Sequence, residues 1–332
     1  MPAPRRYAHG VVMRGERVGV RLGPWPPQPS VDGELGGKML EFSFLFGQFL
    51  GGLTAAMFLF LIASGLSLIF GVLRVLNFAH GSFYMIGAYL AWQLVRAIAP
   101  MPEAFWFAAL GAALSIALLG AVVERLLLRH LYNREELYQL LFTYALVLIL
   151  GDVAKIVWGT QQLSVSRPPS LAGSSELFAV TIPHYNLFIM VLGPAIAVGF
   201  WYILQRTALG RIVRAAALDR ETLGALGANV GWVYTGMFML GSFLAGLGGA
   251  LVTPIKSIVP GMDVDIIVEA FIVVVIGGLG SFWGTFLGAL IYGQVLSFGI
   301  LIFPRFSIFA VSVLMAAILI VRPWGLLGRP LK

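Results

Sequence analysis

The chain has 332 residues, 59% hydrophobic and 11% charged, with a formal net charge of +7 and a mean hydropathy of +0.91. Soluble globular domains carry about 25% charged residues, so this composition excludes one and points to a polytopic membrane protein. The lack of cysteine excludes disulfides, thiolate metal sites and cysteine catalysis, and basic residues confined to short loops between apolar segments reflect membrane topology, not a nucleic-acid footprint.

Residues 1–40 carry Arg5, Arg6, Arg14, Arg17, Arg21 and Lys38 among prolines and glycines, without the apolar run of a secretory signal. They are expected to be a disordered or mis-called extension, with Met39 as a candidate start. The membrane domain then covers 41–332. At about 20 apolar residues per span, segments fall near 45–71, 82–99, 104–123, 138–158, 185–205, 231–252, 264–278, 285–303 and 307–321. The fold class is therefore all-α, a polytopic transmembrane bundle with 8–9 spans and glycine-broken helices. The piece 264–278 is short enough to be a half-helix or re-entrant segment.

Orientation follows from the loops. Arg125, Arg129 and Arg134 mark one loop as cytoplasmic, and Arg206, Arg211, Arg214 and Arg220 mark another. The connections 159–184 and 253–263, with only Arg167 and Lys256, are external. The tail residues Arg322, Arg329 and Lys332 favour the inside and hence nine crossings.

Between two strongly apolar stretches lies Asn77-Phe-Ala-His-Gly-Ser. Unpaired polar groups cost several kcal/mol in hydrocarbon, so this break marks a membrane boundary or lines something wet. His80 both donates and accepts, as a polar solute path needs; alternatively it is satisfied by carbonyls at a helix end. Asn77 and Ser82 suit capping roles, and Gly81 a backbone turn. Glu124 with Arg125 reads as a solvated helix end. Asp152 and Lys155 read as a neutralising pair. Glu269, among Ile266, Ile267, Val268, Phe271 and Ile272, is an ionisable group within a span and a candidate for substrate entry or gating; Asp263 and Asp265 close by leave an interface role open. The Gly81-Ser-Phe and Gly280-Ser-Phe starts suggest corresponding broken segments of a repeat. Gly280, Gly284 and Gly288 at four-residue spacing predict close helix packing.

The longest inner loop, near 206–229, predicts a short amphipathic helix, a turn and a glycine, a shape suited to a partner's groove or to a simple connection. No nucleophile elbow, zinc helix or dinucleotide fingerprint occurs, and His9, His80, His130 and His184 lack ligand spacing. Gly33-Glu-Leu-Gly-Gly-Lys-Met lacks the spacing and hydroxyl of a phosphate loop. No cofactor or ATP site is expected, so any ATPase is a separate chain.

Ala217-Leu-Asp-Arg-Glu-Thr-Leu-Gly-Ala-Leu-Gly resembles the coupling loop of ABC importer permeases. The stretch Gly71-Val-Leu-Arg-Val-Leu-Asn-Phe-Ala-His-Gly-Ser-Phe, with Val275-Ile-Gly-Gly-Leu-Gly-Ser and Arg322-Pro-Trp-Gly-Leu-Leu-Gly-Arg-Pro, resembles the LivH-type permease subunit of branched-chain amino acid ABC importers. The match runs in order from about Met39 to Arg329; the basic extension is outside the family pattern. The resemblance implies a LivM-type second permease, two ATP-binding cassette subunits and a periplasmic substrate-binding protein, in a bacterial inner (cytoplasmic) membrane. It implies a translocation path along Asn77, His80, Gly81, Ser82, Gly277, Gly278, Gly280 and Ser281, joined by Glu269. ATPase coupling falls to Arg211, Arg214, Asp219, Arg220, Glu221, Leu223, Leu226 and Gly227. The expected function is ATP-driven import of branched-chain amino acids or a related small polar solute, with no enzymatic site on this chain. Two alternatives stand: a secondary transporter using Glu269 or Asp152 as its ion site, and a membrane-embedded hydrolase, for which His80 has no obvious catalytic partner.

Overall fold

A computed structural model describes residues 42–101, 103–177, 180–302 and 307–328. The N-terminal extension, and the tail residues Arg329 and Lys332, lie outside the described residues. Each apolar segment forms a helix. In chain order these are α1 (Phe42–Leu73), α2 (Ala79–Ile98), α3 (Ala104–Leu126), α4 (Glu136–Trp158), α5 (His184–Arg206), α6 (Ala208–Leu218), α7 (Arg220–Ala225), α8 (Val230–Val252), α9 (Met262–Gly277), α10 (Phe282–Ile302) and α11 (Ser307–Val321). Six of them among the described residues, α1, α3, α4, α5, α8 and α10, are long and apolar enough to cross a membrane. Strand structure among the described residues is limited to an antiparallel hairpin, β1 (Ser174–Leu177) and β2 (Val180–Pro183), and a bridge between Leu163 and Ile258.

The axis of the bundle is α1, against which α5, α8, α9 and α10 pack, while α2 fits between α3, α8 and α9. From Leu59 to Ile69 every residue of α1 is buried, the pattern of a helix apolar on all sides and enclosed by others. Peripheral α5 buries only the four-residue stripe Tyr185, Ile189, Gly193 and Ala197, leaving Val191 and Val198 exposed on a face suited to lipid.

Small residues set how closely the central helices approach. A Cβ on Gly87 would lie 2.7 Å from the Gly246 Cα, and one on Gly65 would collide with the Gly241 carbonyl. These are close backbone contacts of the kind that glycine permits between membrane helices. They also fix direction. Phe83 meets Phe238 with ring centroids 6.1 Å apart, and Gly87 faces Gly246, so α2 runs parallel to α8. Gly120 faces Ser242 and Ile116 faces Gly246, so α3 runs antiparallel to it. The first turn of α2 is consequently level with the middle of α8 and not with its end.

The same is true of α9. Its first turn meets the first turn of α2, where the Asp263 carbonyl faces Gly81, while its last residues reach the neighbourhood of Gly71 at the end of α1. Both helices thus begin inside the bundle and leave at opposite ends. One end carries the arginine-rich connections, where Arg74, Arg134 and Arg220 border one cavity; the other carries the hairpin, whose Val180 touches Gly47. The expected half-helix at 264–278 is present as the 16-residue α9. The expected pairing of Gly81-Ser-Phe with Gly280-Ser-Phe is corrected. Gly280-Ser-Phe starts α10 at the arginine-rich end, and the structural counterpart of the α2 start is the α9 start. Gly-Ser-Phe suits a helix start at any depth, so the match reflects local chemistry.

Candidate functional site

The interior junction is built from the first turns of α2 and α9. The chain leaves α1 through Arg74, in a left-handed conformation (φ 56°), and residues 74–78 return into the bundle without helix. No side chain caps α2, so neither Asn77 nor Ser82 is a cap. Instead the Ser82 hydroxyl donates to Asp263 Oδ2 at 2.8 Å, and His80 Nε2 pairs with the Ile62 carbonyl oxygen at 2.9 Å, the ring donating in that tautomer. Gly81 is required for close approach, since a Cβ there would strike the Asp263 carbonyl; the expected turn does not occur, because Gly81 lies within the helix.

Asn77, His80 and Ser82 all have 0% exposure. Both amide atoms of Asn77, Nδ1 of His80 and the hydroxyls of Ser67 and Ser242 have no hydrogen-bond partner. Buried polar atoms are normally satisfied, so this interior holds several unmet donors and acceptors around one helix start. Asp263, 3% exposed, completes the junction. The sequence reading noticed it only as a neighbour of Glu269; its position in the first turn of a short broken helix was the available signal.

Glu269 lies farther along α9, half-buried, with Lys256 as the opposite charge acting on it and Asp265 as the like charge. Gly277, Gly278, Gly280 and Ser281 are not brought to the junction. They turn the chain at the far end of α9, with positive φ at Gly278 and Gly280. There the amides of Leu326 and Leu327 donate to the carbonyls of Ile276 (2.9 Å) and Gly277 (3.0 Å). Gly280 abuts Gly71. The Gly325–Gly328 tail therefore closes over this turn, and Ser281 accepts from the Gly284 amide.

At the arginine-rich end, α6 and α7 are two short helices with side-chain caps. Thr207 accepts from the Gly210 amide; Asp219 Oδ1 accepts from the amides of Glu221 and Thr222 at 3.0 Å each, and its Oδ2 from the Thr222 hydroxyl. These donors, the Thr222 hydroxyl first, hold the Asp219 carboxyl below the usual carboxylate range. Arg214 Nη1 donates to the Leu204 carbonyl. Arg211, Arg220, Glu221, Leu226 and Gly227 are exposed. Leu223, expected to face a partner, is instead buried against the bundle, because α7 lays one apolar side inward. Leu209 and Leu218 stand out at 68% and 79% exposure; sequence reasoning passed over them.

Glu124 is also corrected: it is fully buried and accepts from Tyr132 Oη at 2.7 Å and Thr235 Oγ1 at 2.5 Å. Two hydroxyl donors make that burial tolerable. Asp152 and Lys155 form the expected exposed pair at 3.0 Å. Among the described residues no group of three or more histidines and carboxylates is placed to hold a metal ion.

Comparison with known proteins follows the same lines. The model of the family "branched-chain amino acid transport system / permease component" matches residues 48–322. The chain is 28% identical over 302 residues to the high-affinity branched-chain amino acid transport system permease protein BraD of Pseudomonas aeruginosa, covering 88% of this chain and 98% of that one. It is 27% identical over 304 residues to LivH of Escherichia coli K12, at 87% and 97% coverage. A shorter stretch of 150 residues is 31% identical to the fructose import permease FrcC of Rhizobium meliloti, covering 42% and 41%. No solved structure matches.

Proposed function

The chain belongs to the family of branched-chain amino acid transport system permease components, and from that premise we propose that it is the membrane-spanning subunit of an ATP-driven importer of branched-chain amino acids. The observation that carries this reading is the family match over residues 48–322, and the capped α6–α7 pair, exposing Leu209, Leu218 and Leu226 beside Arg211 and Arg220, supports it. That pair is the docking surface for a separate ATPase subunit, its leucines entering a groove as helix-mediated recognition does. The complex holds a second permease of similar build, two ATPases and a solute-binding protein. It resides in the inner (cytoplasmic) membrane with the arginine-rich end inside. Residues 74–98 and 253–277 then each make one crossing from a non-helical segment and a helix that starts inside the bundle, giving nine passes in all. The chain itself performs no chemistry.

Within this reading Glu269, half-buried on α9, is the side chain that borders a path between the two permeases. Asn77, His80, Gly81 and Ser82 act from behind it, fixing where α2 and α9 begin. The glycines at 277–280 and Ser281 serve as the pivot at the inner end of α9. A carboxylate on that face attracts the ammonium of an amino acid. The test is radiolabelled leucine uptake by the reconstituted complex with ATP, beside co-purification of the ATPase. Wild type is expected to take up leucine only with ATP, Leu218→Ser/Leu226→Ser to lose the ATPase, and Glu269→Gln to lower uptake with the ATPase still bound. Uptake driven by an ion gradient without ATP would overturn the assignment.

A further inference from the structure

A cavity of about 480 Å³ lies at the arginine-rich end, between the bundle and the α6–α7 pair. Its bundle wall is the end of α1, the α3–α4 connection and the start of α8; its outer wall is residues 216–221. Three guanidinium groups, Arg74, Arg134 and Arg220, and three carboxylates, Glu136, Asp219 and Glu221, line it. Asp219 is taken up by the α7 cap. None of the other five forms an ion pair; among the described residues the ion pair present is Asp152–Lys155, elsewhere. Val72, Leu73 and Leu218 supply apolar lining, with the rings of Tyr132 and Tyr234.

Charges of both signs with no protein partner around one largely polar, water-accessible space select for a particular ligand. A simple anion would meet Glu136 and Glu221, and a simple cation would meet three arginines. A small zwitterion with a short apolar body satisfies both sets and leaves its side chain to Val72 and Leu73. We propose that this cavity binds a free α-amino acid from the inner side and that its occupancy slows import; the proposal rests on the permease reading above. A ligand there bridges the bundle to the helices that would carry the ATPase's motion. It therefore favours the placement of α6–α7 seen here, with the cavity open beside their buried Ala216 and Leu223, over any arrangement that closes it, and differential affinity of that kind biases a two-state equilibrium.

The cavity wall is anchored firmly. Tyr132 and Tyr234 pack edge-on at 5.5 Å, and Tyr132 and Thr235 both donate to buried Glu124, tying this wall to α3 and α8. Arg74 is held at the cavity by a left-handed backbone, φ 56°, a conformation that side-chain-bearing residues rarely adopt.

The test uses the complete complex in proteoliposomes with the binding protein outside and ATP in the lumen. Initial uptake of labelled leucine is measured with and without millimolar unlabelled leucine preloaded in the lumen. Preloading is expected to lower the wild-type rate about fivefold or more, within the usual range of coupling between sites. Leucinamide, lacking the carboxylate, and 4-methylvalerate, lacking the ammonium, are expected to leave the rate unchanged. Arg134→Gln and Glu136→Gln, on the bundle wall, are expected to transport normally from an empty lumen and to lose the inhibition. An unchanged wild-type rate with lumenal leucine, or inhibition that persists in both variants, overturns the proposal. Absence of ATP-driven uptake even from an empty lumen would instead overturn the permease reading. Calorimetric titration of leucine into the detergent-purified complex without binding protein gives a second readout: heat in wild type and none in Arg134→Gln are expected, and equal heat in both counts against this cavity.

Discussion

Ser82 and Asp263 are 181 residues apart in the chain and 2.8 Å apart in space. Removing the hydroxyl leaves a buried carboxylate oxygen short of a donor, which costs about 1–3 kcal/mol. Ser82→Ala is thus expected to lower the thermal unfolding midpoint of the purified protein, and Gly81→Ala, which drives a methyl into the Asp263 carbonyl, to lower it further. A Gly81→Ala protein as stable as wild type would remove the close-approach argument. Residues of this kind show how far a sequence can be read. The polar break at Asn77–Ser82 was visible because it interrupts an apolar run. The reason for Gly81 was not, because its neighbour is Asp263, far along the chain. Glu124 was misjudged for the same cause: its donors come from Tyr132 and from Thr235 on another helix.

Helix α7 is short, six residues, and depends on its cap. Asp219→Ala removes the acceptor for two amides and a hydroxyl, a change worth about 1 kcal/mol at a typical cap. Faster hydrogen exchange of the Glu221 and Thr222 amides is expected, with Asp219→Asn intermediate. The sign of the pH response follows from the lowered Asp219 ionisation. The cap's contribution is complete above the unfolded carboxylate value of about 3.9 and disappears only as pH falls through the lower folded value. Protection of those two amides is accordingly expected to be flat from about pH 5 to pH 8, and a loss within that interval would assign the effect to another group. At this scale the sequence was most legible, since every apolar segment became a helix at nearly the expected bounds. Depth was not legible: an apolar run records that a helix is enclosed or lipid-facing, and α2 and α9 have the same composition whether they start at a surface or in the interior.

The whole molecule carries no cysteine, so its topology is open to single-cysteine labelling without prior substitutions. Ser175→Cys, on the β1–β2 hairpin, is expected to react with an impermeant maleimide applied to intact cells, and Glu221→Cys only after permeabilisation. The reverse pattern would invert the orientation drawn from the arginine-rich loops. Arginine placement predicts that orientation from the sequence alone, whereas the meeting of the two helices that start inside the bundle, settled by glycine contacts between distant segments, was not legible there. That meeting has an electrical consequence. Each helix presents about half a positive charge at its N-terminus, and here two such poles meet in a buried region, with Asp263 in the first turn of α9 bonded to Ser82 in the first turn of α2. The junction carries a carboxyl group of its own, held by the Ser82 hydroxyl, at the place where two helix poles would otherwise draw in a solute's carboxylate. Asp263→Asn would empty it, and a mutant junction that gains affinity for chloride, read as halide-dependent thermal stabilisation absent from wild type, is the expected sign.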